Sequence, residues 1–380
     1  MTGRKQIQSW LTLHLVPGMG PVTCKKLVVH FGTPEKVLAA SRSDLVNTAA
    51  LRKESLAALY GEERKNLEEY VKKEIEQAAE KSITIITWDD PLYPALLKNI
   101  HDPPVVLYVL GTPELLNCRG LGIVGSRAAT HYGKDIAGQM ASSLSRQGFT
   151  IISGLALGID TAAHNGALAA AGKTIAVLGC GLDIVYPPGN HNLYKRIASA
   201  GAVVSEYPLG TKPDSFRFPA RNRIISGMSL GIVVVEAANR SGSLITASHA
   251  LEQGREVFAV PGRIDSVKSA GTHTLLQQGA KLVHSIKDIV EEFPAAAFEQ
   301  RVDGPDREED ELCLVENLSH EEAELFGFIE VYPRTFDEIV KDSGFTAQQT
   351  NELLLFLELK GMVETLSGKR YQRVASISTQ

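Results

Sequence analysis

Apolar runs alternate with helical stretches through the middle of the chain. The runs occupy residues 83–87, 105–110, 121–124, 150–152, 174–178, 202–204, 230–235 and 257–260, and they predict β-strands. Helical periodicity lies between several of them, for example at 131–147, 158–171 and 243–254. Strands that are apolar throughout and alternate with helices indicate a parallel sheet buried on both faces. We therefore predict an α/β fold with a mostly parallel sheet core over residues 82–293.

Different patterns flank this core on both sides. Residues 1–81 contain short helical periods that are broken at 17–21 and 32–34, which predicts an N-terminal helical domain of the helix-hairpin-helix (SAM-like) type. The acidic run at 306–311 predicts a linker over residues 294–316. Residues 317–380 predict three helices, two of them capped by Thr335 and Thr346, and then a small hairpin. That order is typical of a winged helix.

Length and composition exclude several classes of protein. The 380 residues suit two or three domains, and 44% hydrophobic with 22% charged residues excludes wholesale disorder. No apolar run is long enough to span a membrane and no export signal is present, so we expect a cytoplasmic protein without a membrane partner. The four cysteines form no CxxC pair and the ten histidines lack metal-ligand spacing. We expect neither a metal nor a cofactor.

The charge is distributed unevenly along the chain. The whole sequence carries a formal net charge of −5, which by itself argues against a nucleic-acid partner. Residues 115–293, however, contain 17 Lys and Arg against 12 Asp and Glu, a balance of +5, so the remainder carries −10. Because binding depends on the local patch, the basic stretch at 115–293 leaves an anionic ligand possible.

Small residues, hydroxyls and one arginine follow three of the predicted strands, where each strand passes into a helix. These residues are Gly125, Ser126 and Arg127, then Ser153 and Gly154, and then Ser241, Gly242, Ser243 and Thr246. Ligands of open parallel sheets bind beyond the carboxyl ends of the strands, where helix N-termini present N–H groups to anions. We predict that these junctions bind phosphates; tight turns and ordinary helix capping are the alternatives.

Arginines and aromatic residues are interleaved at 216–223, around Phe218, Arg221, Asn222 and Arg223. A guanidinium matches the geometry of a phosphate, and an aromatic face stacks on an unpaired base. A base held in this way must leave its duplex, so the run fits a single strand better than an intact helix. The alternative is a salt-bridged helix start with the phenylalanines in the core.

Signals of catalysis are weak. The turn after residues 122–124 lacks GxGxxG spacing, and 172–174 ends a helix where a Walker A loop would begin one. Asp160 and His164 share a helix face as candidate metal ligands or an acid–base pair, although local hydrogen bonding explains them better. Glu236 has no evident catalytic partner in the sequence. We expect a binding protein, not an enzyme.

Two flanking segments leave their roles open. The turn at 17–21, with Lys25 and Lys26 beside it, predicts either phosphate contacts from backbone N–H groups or a structural or protein-contact role. The helix after Thr346 holds the recognition position of a winged helix, but its first turns lack Lys and Arg. Duplex recognition and protein docking are both compatible with this domain, and the second is favoured.

The motifs of the core resemble those of the DNA processing protein A (DprA/Smf) family. The resemblance is carried by GIVGSR (122–127), SGLALGID (153–160), GCGLDIVYP (179–187), SEYPLG (205–210), FPARNRIISG (218–227), the run at 236–262, and GTHTLLQQGAKL (271–282). It is strong over residues 83–290, and the flanks are arranged as in longer members. The pairing of FPxRNRIISG with RSGSLITA is specific.

The resemblance implies a Rossmann-like core that binds single-stranded DNA without sequence preference, protects incoming strands and helps to load RecA during natural transformation. It also implies a homodimer, with His273 and Leu282 in the self-association segment. Phe218 is the implied base-stacking neighbour. The implied phosphate-binding residues are Gly125, Ser126, Arg127, Ser153, Gly154, Arg221, Asn222, Arg223, Ser241, Gly242, Ser243 and Thr246.

The alternative function is an enzyme that processes nucleoside monophosphates, such as a phosphoribohydrolase of the related Rossmann-like superfamily. Such enzymes carry a GGxGTxxE loop with a catalytic glutamate. The corresponding loop here, at 241–247, contains no acid. The sequence therefore favours binding over hydrolysis.

Overall fold

The computed structural model describes residues 3–293, 319–330, 333–360, 362–366 and 368–373. The chain forms two compact units, Met1–Gln300 and Arg301–Gln380. The linker predicted at 294–316 lies outside the described residues. None of the described helices is both long and apolar enough to cross a lipid bilayer.

Six helices precede the sheet. They are α1 (Arg4–His14), α2 (Pro21–Phe31), α3 (Pro34–Ala39), α4 (Arg42–Thr48), α5 (Lys53–Leu59) and α6 (Glu62–Glu80). Short helices follow from the breaks seen in the sequence: Pro21 and Pro34 each begin a helix, where the missing N–H is not needed. One face of α1 is completely buried in the core through Trp10, Leu11 and Leu13.

The first unit contains one nine-stranded sheet. Its strands are β1 (Ile83–Thr87), β2 (Val106–Gly111), β3 (Gly120–Val124), β4 (Thr150–Ser153), β5 (Thr174–Leu178), β6 (Ala202–Ser205), β7 (Gly231–Val234), β8 (Glu256–Ala259) and β9 (Lys281–Leu282). The spatial order is β1-β2-β6-β5-β4-β3-β7-β8-β9. In this spatial order the seven strands β6-β5-β4-β3-β7-β8-β9 are parallel to one another. Strand β2 pairs antiparallel with both β1 and β6. The predicted mostly parallel core is confirmed.

Helices cover the sheet between its strands. They are α7 (Ala95–Lys98), α8 (His131–Arg146), α9 (Ile159–Ala169), α10 (His191–Ala200), α11 (Arg217–Met228), α12 (Gly242–Glu252), α13 (Ala270–Gln277) and α14 (Lys287–Val290). The central strands are buried throughout, which explains their unbroken apolar runs.

The order in which strands are added to the sheet reverses at β3. From β3 it continues through β4, β5 and β6 on one side, and it then crosses to β7, β8 and β9 on the other. In open α/β sheets a crevice forms at such a point, beyond the carboxyl ends of the strands. Val124 of β3 and Val234 of β7 are register partners, so the loops after them begin side by side.

The N-terminal helices pack into the same unit as the sheet. Trp10 and Leu13 of α1 belong to one buried apolar cluster with Tyr108 of β2, Leu178 of β5 and Val203 of β6. The boundary expected near residue 81 therefore does not separate two independently packed bodies. The helical periods were recognisable in the sequence, but their long-range partner was not, because periodicity reports only which face is apolar.

The second unit contains the predicted winged-helix elements. They are α15 (His320–Gly327), β10 (Arg334–Thr335), α16 (Phe336–Ser343), α17 (Ala347–Leu359), β11 (Val363–Leu366) and β12 (Arg370–Arg373). Ser319, Thr335 and Thr346 each accept a hydrogen bond from the third helical residue, whose own side chain bonds back to the cap. The two caps predicted at Thr335 and Thr346 are confirmed, and the winged-helix fold with them.

Helices α8 and α9 cross closely at two glycines, Gly138 and Gly166. A Cβ on Gly166 would lie 2.1 Å from the Gly138 carbonyl oxygen, whereas a Cβ on Gly138 would meet nothing nearer than 3.7 Å. Gly166→Ala should lower the free energy of unfolding by about 1–3 kcal/mol through overpacking.

Gly138→Ala is the matched control, since it adds the same methyl group to the facing helix. It should be neutral or stabilising by up to about 1 kcal/mol, because alanine favours a helix over glycine. Urea unfolding monitored by circular dichroism measures both variants. Equal stabilities for the two would contradict the close crossing.

Candidate nucleic-acid interface

The loops after β3 and β7 meet at the carboxyl edge of the sheet. The Ser126 N–H donates to the Glu236 carbonyl oxygen at 2.7 Å. A Cβ on Gly125 would lie 2.9 Å from that same oxygen, so only glycine allows this approach. Gly125 and Ser126 thereby turn the chain and leave the next side chain, Arg127, exposed at the crevice.

Arg127 begins a layered stack of side chains. Its guanidinium lies over the Phe218 ring, with 5.2 Å between the guanidinium carbon and the ring centroid. Phe218 stacks in turn on Tyr186, with centroids 5.5 Å apart and an interplanar angle of 25°. A cation over an aromatic face is attracted by the ring quadrupole. The three side chains border a pocket, called here the edge pocket, whose lining includes Gly154, Cys180 and Arg221.

Arg221 lies in the floor of the edge pocket and is almost completely buried. Its Nη1 donates to the Gly154 carbonyl oxygen at 2.7 Å and also to the Val177 carbonyl oxygen, and its Nε donates to Asn222. Burial lowers the pKa of Arg221, and the nearby Asp160 carboxylate opposes that shift. Arg221 therefore anchors α11 to the ends of β4 and β5 and places a positive charge beneath the pocket.

Arg223 does not join Arg221, which corrects the prediction that both contact phosphates. Residues two apart on a helix point in nearly opposite directions. Arg223 is buried and pairs with Glu206, and its Nε lies 3.2 Å from Asp102 Oδ2. The alternative of a salt-bridged helix start is thus right for Arg223, whereas Phe216, which that alternative placed in the core, is exposed.

Ser153 and Gly154 form the wall of the crevice at the end of β4. The Ser153 hydroxyl is buried and donates to the Ile123 carbonyl oxygen at 2.6 Å. The Gly154 N–H donates to Asp160 Oδ2 at 3.1 Å, and its carbonyl oxygen accepts from Arg221. A Cβ on Gly154 would lie 2.5 Å from the Arg221 guanidinium. These two residues therefore shape the pocket, and their polar groups are already paired.

The start of α12 brings the third predicted junction to the same helix, α11. Ser241 caps α12 by accepting from the Ser243 N–H, and Asn222 Nδ2 donates to the Gly242 carbonyl oxygen at 3.2 Å. Gly242 is exposed, whereas Ser243 and Thr246 are buried. The capping alternative describes Ser241 correctly. The N–H groups of Ser243 and Leu244 already donate to Ser241, so the candidate anion site of this junction depends on the exposed Gly242.

The acids near the crevice are occupied. Glu236 accepts from the Thr130 N–H at 2.9 Å and from the Thr130 hydroxyl at 2.5 Å. Asp160 accepts from the N–H groups of Gly154 and Ala156, and burial raises its pKa while Arg221 opposes the shift. Both carboxylates serve as caps for backbone and hydroxyl donors.

His164 and Asp160 do not form an acid–base pair. The His164 ring hydrogen-bonds to the Thr174 hydroxyl at 2.7 Å, and burial lowers its pKa to about 3. Within the residues described by the structure, no three His, Cys, Asp or Glu side chains group as metal ligands. Local hydrogen bonding, the favoured alternative in the sequence, accounts for this pair.

Two residues of the pocket were not singled out as contacts from the sequence. Tyr186 supplies the second ring of the stack, and Cys180 lies in the wall, where burial raises the pKa of its thiol to about 11. Tyr186 lies far from Phe218 in the sequence, so only the pairing of β5 with its neighbours brings the two together. The signal available in the sequence was a tyrosine located shortly after the predicted strand at 174–178.

The helix-hairpin turn at residues 17–21 packs against the side chain of Glu54. Gly18 has a φ of 73°, and a Cβ there would lie 2.3 Å from Glu54 Oε1. Arg52, whose side chain also lies against Gly18, pairs with Glu54 at 3.5 Å, so the two charges offset each other beside the turn and both alternatives for this segment stay open. Lys25 and Lys98 both lie over the Trp88 ring, at 5.7 and 4.7 Å from its centroid.

His273 and Leu282 lie at the far edge of the sheet. His273 Nε2 donates to the Gly262 carbonyl oxygen at 3.0 Å, and Leu282 belongs to β9, the terminal strand. Ile264 and Val267, in the loop after β8, are 96% and 78% exposed. Since Ala259 and Leu282 are register partners, this loop begins beside Leu282, which is 48% exposed; Leu282, Ile264 and Val267 together are called here the apolar edge.

Comparisons with known proteins agree with the motifs and the fold. The model of the family described as DNA recombination-mediator protein A matches residues 84–294, and the DprA winged helix domain matches residues 310–369. Protein Smf of Synechocystis is 35% identical over 96% of this chain and 98% of its own length.

Solved structures give the same result. DNA processing protein A of Streptococcus pneumoniae superposes with a TM-score of 0.67 and 36% identity, covering 77% of this chain and 99% of that one. The Helicobacter pylori protein, solved for its single-stranded DNA binding mode, has a TM-score of 0.51 and 32% identity over 55% of this chain and 94% of its own. With motifs, sheet topology and winged helix all in agreement, the chain belongs to the DNA processing protein A (DprA/Smf) family.

Proposed function

We propose that this protein is a recombination mediator that binds single-stranded DNA at the edge pocket. The observation that carries the proposal is the Arg127–Phe218–Tyr186 stack at the switch point, with the Arg221 charge beneath it. When the exposed Arg127 guanidinium turns from the Phe218 ring to a backbone phosphate, it uncovers an aromatic face on which a base can stack. Stacking is insensitive to base identity, so binding without sequence preference follows.

The geometry favours single strands over duplexes. The rings border a concave pocket at the sheet edge, and a base reaches them only after leaving its own stack. In the described part of the winged helix, α17 presents Glu352 and Glu358 and carries no Lys or Arg, which disfavours groove reading there. The match to the DNA recombination-mediator family and the single-stranded DNA binding of the H. pylori relative support the same function.

The site is suited to binding without catalysis. The carboxylates nearest the crevice, Glu236 and Asp160, are committed to hydrogen bonds with Thr130 and with backbone N–H groups. A general acid or base must reach the proton that it transfers. The nucleoside-monophosphate enzyme therefore lacks a candidate catalytic acid at this site, and we assign no reaction to the protein.

We further propose that the bound strand is protected and handed to RecA during natural transformation. Membership of a family of DNA recombination mediators supports a partner that acts on the same strand. Contacts made through a few exposed loops and side chains leave the rest of the strand open to such a partner.

A homodimer formed through the apolar edge completes the proposal. Leu282 is an exposed apolar side chain on the terminal strand β9, and Ile264 and Val267 are exposed apolar side chains in the segment that follows the neighbouring strand β8. An unpaired strand edge flanked by apolar groups is a surface that a second copy can cover. His273 holds the loop that carries Ile264 through its bond to Gly262.

The DNA-binding proposal predicts how salt affects the affinity. Arg127→Ala should weaken the binding of a fluorescently labelled, mixed-sequence single-stranded oligonucleotide about tenfold. It should also reduce the slope of log K against log salt by about 0.7, because one phosphate contact is lost. Phe218→Leu should weaken binding about fivefold or more through lost stacking, and leave the slope unchanged. Fluorescence anisotropy across a salt series measures both.

Arg146→Ala is the control for charge. Arg146 is exposed in the last turn of α8, which begins at the carboxyl edge and ends at the opposite edge of the sheet. This variant should bind like the wild type. Equal slopes for the wild type and Arg127→Ala, or equal affinity for single strands and duplexes, would contradict the proposed function.

The RecA proposal predicts a change in filament nucleation. On single-stranded DNA coated with a single-strand-binding protein, adding this protein should shorten the lag before RecA hydrolyses ATP. The Arg127→Ala variant should restore most of the lag, since it no longer occupies the strand. An unchanged lag at protein concentrations that saturate the DNA would refute the handover while leaving DNA binding intact.

The dimer proposal predicts the effect of a charge at the apolar edge. Leu282→Arg should convert a dimer into a monomer, because an unpaired charge would be buried at the contact. Leu251→Arg, at the opposite end of α12 from the crevice, introduces the same charge at another exposed leucine and should leave the dimer intact. Sedimentation equilibrium measures the mass. A monomeric wild type, or equal masses for both variants, would exclude this interface.

A further inference from the structure

The loop of residues 205–211 lies between the N-terminal helices and the edge pocket. Two polar side chains reach its backbone from the helical side. His14 Nε2, at the end of α1, donates to the Glu206 carbonyl oxygen at 3.0 Å. Glu74 Oε1, in the middle of α6, accepts from the Leu209 N–H at 2.7 Å. The helices therefore hold this loop at two backbone atoms.

The same loop contacts both walls of the edge pocket on its other side. The Ser205 hydroxyl donates to the Cys180 carbonyl oxygen at 2.7 Å, and Cys180 lines the pocket. Glu206 pairs with Arg223 of α11, the helix that carries Phe218 and Arg221. The 205–211 loop is thus the only described segment for which hydrogen bonds to α1, to α6 and to both pocket walls are all seen.

A cation–π contact adds to the connection with α11. The Arg217 guanidinium lies over the Tyr207 ring, 5.3 Å from its centroid, and also 5.0 Å from the Phe216 centroid. Arg217 is the first residue of α11, so Tyr207 fixes the end of the helix that is adjacent to Phe218. A shift of the loop would therefore move the ring proposed to stack on bases.

Apolar packing joins the helices to the pocket without a break. Trp10 and Leu13 of α1 share one buried cluster with Leu209 of the loop and with Leu178 and Cys180 of the pocket wall. Close-packed interiors transmit displacements because they contain few voids. Glu74 is only 3% exposed. A buried carboxylate is costly unless it is hydrogen-bonded, and Glu74 interacts with both the Leu209 N–H of the loop and the Tyr108 side chain of β2.

We propose that Glu74 and His14 are positioning residues for the edge pocket. They hold the 205–211 loop, and through it the Cys180 wall and α11, in the arrangement that binds single-stranded DNA. The N-terminal helices thereby set the affinity of a site that they do not touch. This inference rests on the proposed function and assigns a role to helices whose part in binding the sequence left open.

The test compares two glutamates of the same helix. Glu74→Ala removes the acceptor for Leu209 and should raise the Kd for a single-stranded oligonucleotide roughly fivefold to twentyfold. Its salt slope should equal that of the wild type, because no phosphate contact is removed. Glu74→Gln retains an acceptor oxygen and should restore binding to within about threefold. Glu76→Ala, at an exposed site that pairs only with Arg4 in the described structure, should change the Kd by less than about twofold.

Folding is separated from positioning by measuring at a temperature where circular dichroism shows every variant fully folded. His14→Leu is the second variant; it keeps the bulk of the side chain, removes the donor to Glu206, and should reproduce the Glu74→Ala result. Loss of stability alone would lower the melting temperature and leave the Kd of folded protein unchanged. That result for both variants would overturn the inference, as would a reduced salt slope, which would make Glu74 a determinant of direct phosphate contact.

Arg127→Ala in the same series separates the two levels of the proposal. If it weakens binding and lowers the slope while Glu74→Ala and His14→Leu bind normally, only the positioning inference fails. If Arg127→Ala has no effect, the proposed DNA site itself is wrong.

Discussion

A buried cation, Arg221, joins the parts of the proposed site. Its guanidinium bonds to carbonyl oxygens at the ends of β4 and β5 and neighbours the Asp160 carboxylate. Removing a guanidinium from water costs several kcal/mol, and hydrogen bonds with a counter-charge must offset that cost. The pocket floor therefore depends on Gly154, which has no side chain to obstruct the guanidinium, and on Asp160, which is held by two backbone N–H groups.

This constraint divides the polar residues of the loops into two groups with different tasks. The first group is buried and makes its polar contacts within the protein; it consists of Ser153, Arg221 and Arg223. Arg127 and Gly242 are exposed at the crevice. A ligand meets the second group directly and senses the first only through shape and electrostatic potential. Substitutions in the two groups therefore have different physical consequences, even though all of these residues lie within a few loops.

The pattern of the sequence predicted the strands and the edge at which the loops meet, because a buried parallel strand leaves an unbroken apolar run. It also predicted the caps at Thr335 and Thr346, since capping is a local property. It failed where side-chain direction decides the outcome. Arg221 and Arg223 appear as a pair in the sequence, yet their spacing on a helix sends one to the pocket and the other to Glu206. Tyr186 and the contacts of Glu74 and His14 depend on tertiary packing, for which a single sequence contains no periodic signal.

The acidity of the whole chain does not oppose a nucleic-acid ligand. The net charge of −5 combines +5 over residues 115–293 with −10 over the rest of the chain. At physiological ionic strength the Debye length is about 8 Å, so exposed acids farther than this from the crevice are largely screened from a phosphate bound there. At the helix-hairpin turn, Glu54 is paired with Arg52, so that turn offers a phosphate no comparable excess of positive charge. At the carboxyl edge of the sheet, by contrast, Arg127 is exposed and Arg221 lies beneath it, and such a local patch can attract a polyanion to a molecule that is acidic overall.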